Sequence, residues 1–166
     1  YIDCIRGVPL IVLAFFVYFG IPMAIGARLD ALTAGIISLS MNAGAYMAEI
    51  IRAGIQSVDR GQTEAARSIG MSAMQTMFIV VLPQAVKNSF PAIGNEFVVN
   101  IKDSSVLSAI SVTDLFFQSN GVAGSLFLYT ETMAVTALIY LVLTFTTTRI
   151  LGAIEHRMGR PRSSFP

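Results

Sequence analysis

The sequence predicts an all-α integral membrane protein, a multi-span helical bundle, on three observations. Hydrophobic residues make up 54% of the 166 positions and charged residues only 13%, where a soluble domain carries about a quarter charged residues. Apolar stretches long enough to cross a bilayer recur along the chain. The cations, finally, collect on one side of those stretches. Mean hydropathy of +0.69 agrees with a bilayer host. The net charge of +1 comes with no basic run long enough to follow a phosphate backbone, which argues against nucleic acid as a partner. The lone Cys4 excludes an internal disulfide. Without an initiator Met or a signal-peptide pattern at Tyr1, the chain reads as an excerpt whose natural N-terminus lies upstream.

The first visible span is 8–27, twenty residues without a charge, enough at about 1.5 Å per residue to cross roughly 30 Å of hydrocarbon. A second, 31–51, is apolar but for Ser38, Ser40, Asn42 and a terminal Glu49. Another, 126–148, opens on Tyr129 and Glu131 and closes on Arg149, with an interfacial aromatic at one end and a cation at the other. Between them, 84–112 is apolar enough for a membrane yet carries Asn95, Glu96, Asn100, Lys102 and Asp103. No lipid-facing helix tolerates that set, so this span is expected to line protein or a wet cavity, with a break in the helix as one way to do so.

Four spans place nine cations on one side: Arg6, Arg52, Arg60, Arg67, Lys87, Arg149, Arg157, Arg160 and Arg162. Arg28 alone falls on the other side, and Lys102 lies within a span. Lys and Arg are retained on the cytoplasmic side, so the N-terminal edge, a loop over about 52–83 and a tail over 149–166 are expected to be cytoplasmic. The whole chain, 1–166, then forms a single transmembrane domain.

The loop carries the most information. Asp59 with Gln62 reads as a capping box opening a helix through Glu64, Ala65 and Ala66, and Gly70 ends it. Ser72 with Gln75 opens a second helix, which Pro83 is expected to interrupt before the chain re-enters the membrane. Two readings of this unit stand side by side. One is an amphipathic loop resting on lipid; the other is a lever that docks into a groove on a soluble partner and carries its motion into the membrane.

Glu64-Ala65-Ala66, three residues, Gly70, nine residues, then Val80-Val81-Leu82-Pro83 resembles the EAA loop of the permease subunits of ABC importers. Arg6-Gly7-Val8-Pro9-Leu10, the stretch Asn42 to Glu49, and Gly94-Asn95-Glu96-Phe97 through Lys102-Asp103-Ser104-Ser105 are similar to the polar amino-acid subfamily, so that the likeness covers nearly the whole chain. It implies the type I importer permease fold, with one N-terminal span beyond those visible here, in the bacterial inner (cytoplasmic) membrane. It implies a second permease subunit, like or unlike, two ATP-binding-cassette ATPase subunits carrying ATP-Mg, and an external solute-binding protein. Glu64, Ala65, Ala66 and Gly70 become the element facing the ATPase, with the plain alternative that the alanines only favour helix. Val8 stands where the subfamily has Thr; losing the hydroxyl puts any solute contact there in question.

The path itself is argued from depth. Asn42 lies eleven residues from Ala31 and Glu96 thirteen from Pro83, about 16 and 20 Å into the bilayer. An ionisable group at that depth is a functional candidate. Glu96 suits an α-ammonium or a basic side chain, and Asn42 offers both donor and acceptor; the alternative is that Glu96 pairs with Lys102 across a broken helix. Tyr46, at i+4 from Asn42, serves either packing or a gate. Arg6 and Asp3 read as interfacial anchors. Lys102 and Asp103 read as solute contacts or as supports for a helix break.

The eight methionines and eleven phenylalanines are lipid-facing or packing residues. No metal-ligand cluster and no glycine-rich phosphate loop followed by Lys-Ser/Thr is present. The chain is therefore expected to bind no cofactor and to be no enzyme, with ATP hydrolysed on another subunit. The reading is the permease of a polar amino-acid importer; an amino-acid derivative or other small zwitterion is the alternative solute. An ion-coupled transporter or channel built on Glu96 leaves the loop motif unexplained.

Overall fold

The computed structural model describes residues 1–26 and 28–157, and every regular element among them is helical. The short α1 (Ile2–Arg6) leads into α2 (Leu10–Ile25). Then come α3 (Ala31–Gln56), α4 (Arg60–Ser68), the long α5 (73–103), α6 (Leu115–Leu126) and α7 (Tyr129–Arg157). A 3-10 segment, Ser104–Ile110, extends α5 before the chain turns at Ser111, whose φ is +68°. The expected boundary at Ala27 and the tail beyond Arg157, with Arg160 and Arg162, lie outside the described residues.

Two helices, α3 and α7, are long and apolar enough to cross a membrane alone. Both outrun the apolar stretches that announce them, α3 to Gln56 and α7 to Arg157, because a helix need not stop where the hydrocarbon stops. Helix α6 has no counterpart among the expected elements. Asp114 caps it, its carboxylate accepting the Phe117 N–H at 2.8 Å.

Proline does not divide the chain as expected. Residues 73–103 form one helix, and the turn before Leu82-Pro83, Thr76–Val81, is wound as a π-helix. The same device appears in α2, where Phe16–Gly20 is π-helical just before Ile21-Pro22. Proline lacks the N–H that would close an α-turn, and its ring crowds the carbonyl four residues back. Widening the preceding turn accommodates both effects without ending the helix.

Helices α3 and α5 form the most extensive pairing, α1 and α2 lie against α3, and α7 packs on α5 and α6. At one end of the bundle Leu13, Ala14, Val17, Ala34, Leu107 and Ile110 form a core. At the other, Val58, Val81 and Ala85 tie the 57–81 region to α5. Helices α3 and α5 cross closely at Gly54, where a Cβ would stand 1.7 Å from the Ser89 Oγ and 3.0 Å from the Ala85 carbonyl oxygen. Glycine is what permits that approach. The Asn88 amide donates to the Ser57 Oγ at 2.9 Å beside the crossing.

Candidate functional site

A cleft of about 480 Å³ opens between the α1–α2 junction, α3 and α5. The junction contributes Arg6, Val8 and Pro9, α3 contributes Asn42 and Tyr46, and α5 contributes Glu96, Val99 and Asp103. All four residues singled out for the path, Val8, Asn42, Tyr46 and Glu96, thus line one space. They come from three separate parts of the chain, and the α3/α5 crossing at Gly54 brings the two helix faces together.

Glu96 is 8% exposed and Asn42 6%. The Glu96 carboxylate accepts from the Asn100 amide at 3.1 Å, and the same amide nitrogen also donates to the Glu96 carbonyl at 2.8 Å. Its partner is therefore one helical turn along α5, not Lys102, and no break is needed to reach it. The Asn42 amide makes no hydrogen bond among the described residues, which leaves its donor and acceptor to the cleft. A buried amide is costly without a partner, so this one is suited to meet water or solute.

Arg6, read from the sequence as an anchor at the membrane surface, lines the cleft. Its guanidinium lies 5.2 Å from the Tyr46 ring centroid and 3.7 Å from a Glu49 carboxylate oxygen. Glu49 is held more closely by Arg52, whose Nε donates at 2.9 Å and whose Nη2 also bonds it, while Arg52 reaches on to Gln56 at 3.0 Å. Tyr46 thus serves as a platform for a cation. Asp103 lines the cleft from the last position of α5, next to the change into the 3-10 segment. Ser104 and Ser105 donate back to the Ile101 and Lys102 carbonyls there. Asp3 does not line the cleft.

The loop forms the second half of the site. Asp59 caps α4 by accepting the Gly61 N–H at 2.6 Å. Gln62 makes no return bond, so the cap is simpler than the expected box. The Ser72–Gln75 box is complete, with Ser72 N–H donating to Gln75 at 2.8 Å and Gln75 N–H to Ser72 at 3.2 Å. At the end of α4, Met71 N–H donates to the Ala66 carbonyl and Gly70 N–H to that of Arg67, the paired bonds of a Schellman motif. Gly70 sits at φ +90°, a backbone position that suits glycine. Ala66, 5% exposed, turns inward, while Glu64 and Ala65 face out.

A family model described as "Binding-protein-dependent transport system inner membrane component" matches residues 1–160. Among relatives, the chain is 42% identical over 160 residues to the probable glutamine ABC transporter permease protein GlnM of Bacillus subtilis (strain 168), covering 96% of this chain and 74% of GlnM. It is 36% identical over 159 residues to the glutamine transport system permease protein GlnP of Escherichia coli (strain K12), covering 95% of this chain and 73% of GlnP. A solved structure described as an amino acid ABC transporter with histidines superposes with a TM-score of 0.90 at 46% identity, over 95% of this chain and 73% of that one. The MetNI methionine ABC transporter, at 20% identity, shares the fold with a TM-score of 0.80, over 96% of this chain and 73% of the MetNI chain. The chain therefore spans about three quarters of the proteins it matches, and it belongs to the family of binding-protein-dependent transport system inner membrane components.

Proposed function

We propose that the chain is the permease subunit of an ATP-driven importer of polar amino acids in the bacterial cytoplasmic membrane. The observation that carries this reading is the cleft in which Asn42, Tyr46 and Glu96 meet Arg6 and Asp103, on the same helix that begins in the loop. An amino-acid backbone has a carboxylate and an ammonium. Arg6 suits the first, while Glu96 and Asp103 suit the second, each as a charge-assisted bond, with Glu96 the most buried of the three. Asn42 bonds either a donor or an acceptor on the solute. At about 480 Å³ the cleft is of the size usual for small-molecule sites.

In this reading ATP-Mg is bound and hydrolysed on separate ATPase subunits, a second permease completes the path, and a solute-binding protein delivers the amino acid from outside. The outward face of α4, with Glu64 and Ala65, meets the ATPase. Its displacement passes into the membrane along α5, which runs unbroken from the loop to Glu96 and on to Asp103. From Thr76 to Glu96 that is about 30 Å of continuous helix, a single rod with a π-turn at its foot and Pro91 within it.

The test is uptake of labelled amino acids into vesicles holding the assembled transporter, with and without internal ATP. Glu96→Gln keeps the shape and removes the charge, and is expected to raise the uptake KM about tenfold or more while ATPase activity persists. Solute flux that ignores ATP rejects the importer reading, and an unchanged KM removes Glu96 from the path.

A further inference from the structure

The cleft does not end at Tyr46. On α3, Asn42, Tyr46, Glu49 and Ala53 fall at i, i+4, i+7 and i+11, which sets them on one helical face. On α5, Asp103, Val99, Glu96, Ala92 and Ser89 follow the same spacing in reverse. The outer members of each row line the cleft, and the inner members line a second groove of about 310 Å³ nearer the loop. The groove therefore continues the cleft toward the inner end of the bundle. Arg6 lines the cleft and Glu49 the groove, so their ion pair at 3.7 Å stands at the boundary between the two.

That pair is unequal. Glu49 engages Arg52 with both of its oxygens, accepting from Nε at 2.9 Å and from Nη2 as well. The oxygen that accepts from the Arg52 Nε, Oε2, is also the one that faces Arg6. At 3.7 Å the Arg6 guanidinium is attracted but not hydrogen-bonded, and it makes no hydrogen bond among the described residues. Its place is set by charge and by the Tyr46 ring, 5.2 Å below it. Its N–H donors, a fork that fits a carboxylate, are left open. Among the described residues, Glu49 is the one carboxylate within ion-pair distance of it.

We propose that Glu49 is a positioning residue that competes with the solute carboxylate for Arg6, and so sets how readily the cleft releases solute inward. The inference rests on the permease reading and extends it from binding to release. In the empty cleft Glu49 holds Arg6 over Tyr46. An arriving carboxylate takes the N–H bonds that Glu49 leaves open. As solute moves on toward the groove, Glu49 offers Arg6 a replacement charge, so that the guanidinium is not left unpaired. Arg52 moderates the contest by drawing on the same Glu49 oxygens, which weakens their pull on Arg6.

The experiment is equilibrium binding of labelled L-glutamine, L-glutamate, L-arginine and L-histidine to the assembled transporter in nanodiscs, without the solute-binding protein, so that the cleft alone is read. For each amino acid that wild type binds, Glu49→Gln is expected to tighten binding about threefold and slow dissociation, and Arg52→Gln to weaken binding about threefold. In a Glu49→Gln background, Arg52→Gln is expected to have no further effect, since it acts only through that carboxylate. Glu49→Asp draws the charge back from Arg6 and is expected to tighten binding by a smaller step; it decides the matter should Glu49→Gln not assemble. A merely structural role would weaken binding in both single variants, together with a loss of thermal stability. That result, or unchanged binding in Glu49→Gln, overturns the proposal and leaves the permease reading standing. Wild type that binds none of the four overturns the proposal together with the solute assignment on which it rests.

Discussion

Helices α5 and α7 are of similar length and both pack in the bundle, yet they are built in opposite ways. Helix α5 carries Asn95, Glu96, Asn100, Lys102 and Asp103, buries Ala85, Ser89, Gly94 and Glu96, and crosses α3 at close range. Helix α7 is apolar nearly all round and buries only Thr136. A helix that must carry polar groups through a membrane needs protein around it. One whose mid-span polar groups are threonine hydroxyls bonded back to its own carbonyls can give most of its surface to lipid or to another subunit. The contrast teaches that in this chain the helix with the poorest membrane composition is the one that holds both the cleft and the link to the loop.

Breaking the α3/α5 crossing is expected to have the largest effect. Gly54→Ala drives a Cβ into the Ser89 Oγ and close to the Ala85 carbonyl, and is expected to cost about 2–3 kcal/mol. Thermal unfolding in detergent measures it, and Ser89→Ala in the same chain is expected to restore part of the loss. Gly70→Ala comes next, at about 1–2 kcal/mol, since the backbone at φ +90° is unfavourable for a residue with a Cβ. Hydrogen exchange should locate that loss in the loop and not in the spans. Smallest is Leu141→Ala on α7, where the side chain is 61% exposed; the shift is expected within about 0.5 kcal/mol for the isolated subunit. A larger loss in the assembled transporter than in the isolated subunit would show α7 to be covered there.

The same contrast explains what was legible in the sequence. The apolar stretches leading into α3 and α7 announce those helices through composition alone, and Glu96 and Asn42 stand out as polar groups at mid-membrane depth. The course of α5 was harder to read because Pro83 is a local stop signal, while the π-turn that absorbs it lies where Val81 and Ala85 pack with Val58, a residue distant in sequence. Helix α6 has a weak apolar pattern interrupted by Ser119, Gly121 and Gly124, and only Asp114 ahead of Leu115 offered a sign of it. Arg6 looked like a surface anchor because nothing near it in sequence shows that α1 folds against α3 and sets it over Tyr46. For the loop, the turn at Gly70 was readable from residue type, but the inward turn of Ala66 was not.

One unbroken α5 joins the loop to the acid in the cleft, and the proposed coupling runs along it. That coupling is tested most directly by softening the helix between them. Val86 and Lys87 are both exposed and do not line the cleft, so Val86→Gly with Lys87→Gly loosens the rod at a cost of about 1–2 kcal/mol without touching the cleft. The measurement is solute imported per ATP hydrolysed in vesicles holding the assembled transporter. A severalfold fall in that ratio is expected, with ATP hydrolysis and the KM for solute close to wild type. An unchanged ratio in a stably folded variant would contradict it, because the motion would then reach Glu96 by another route.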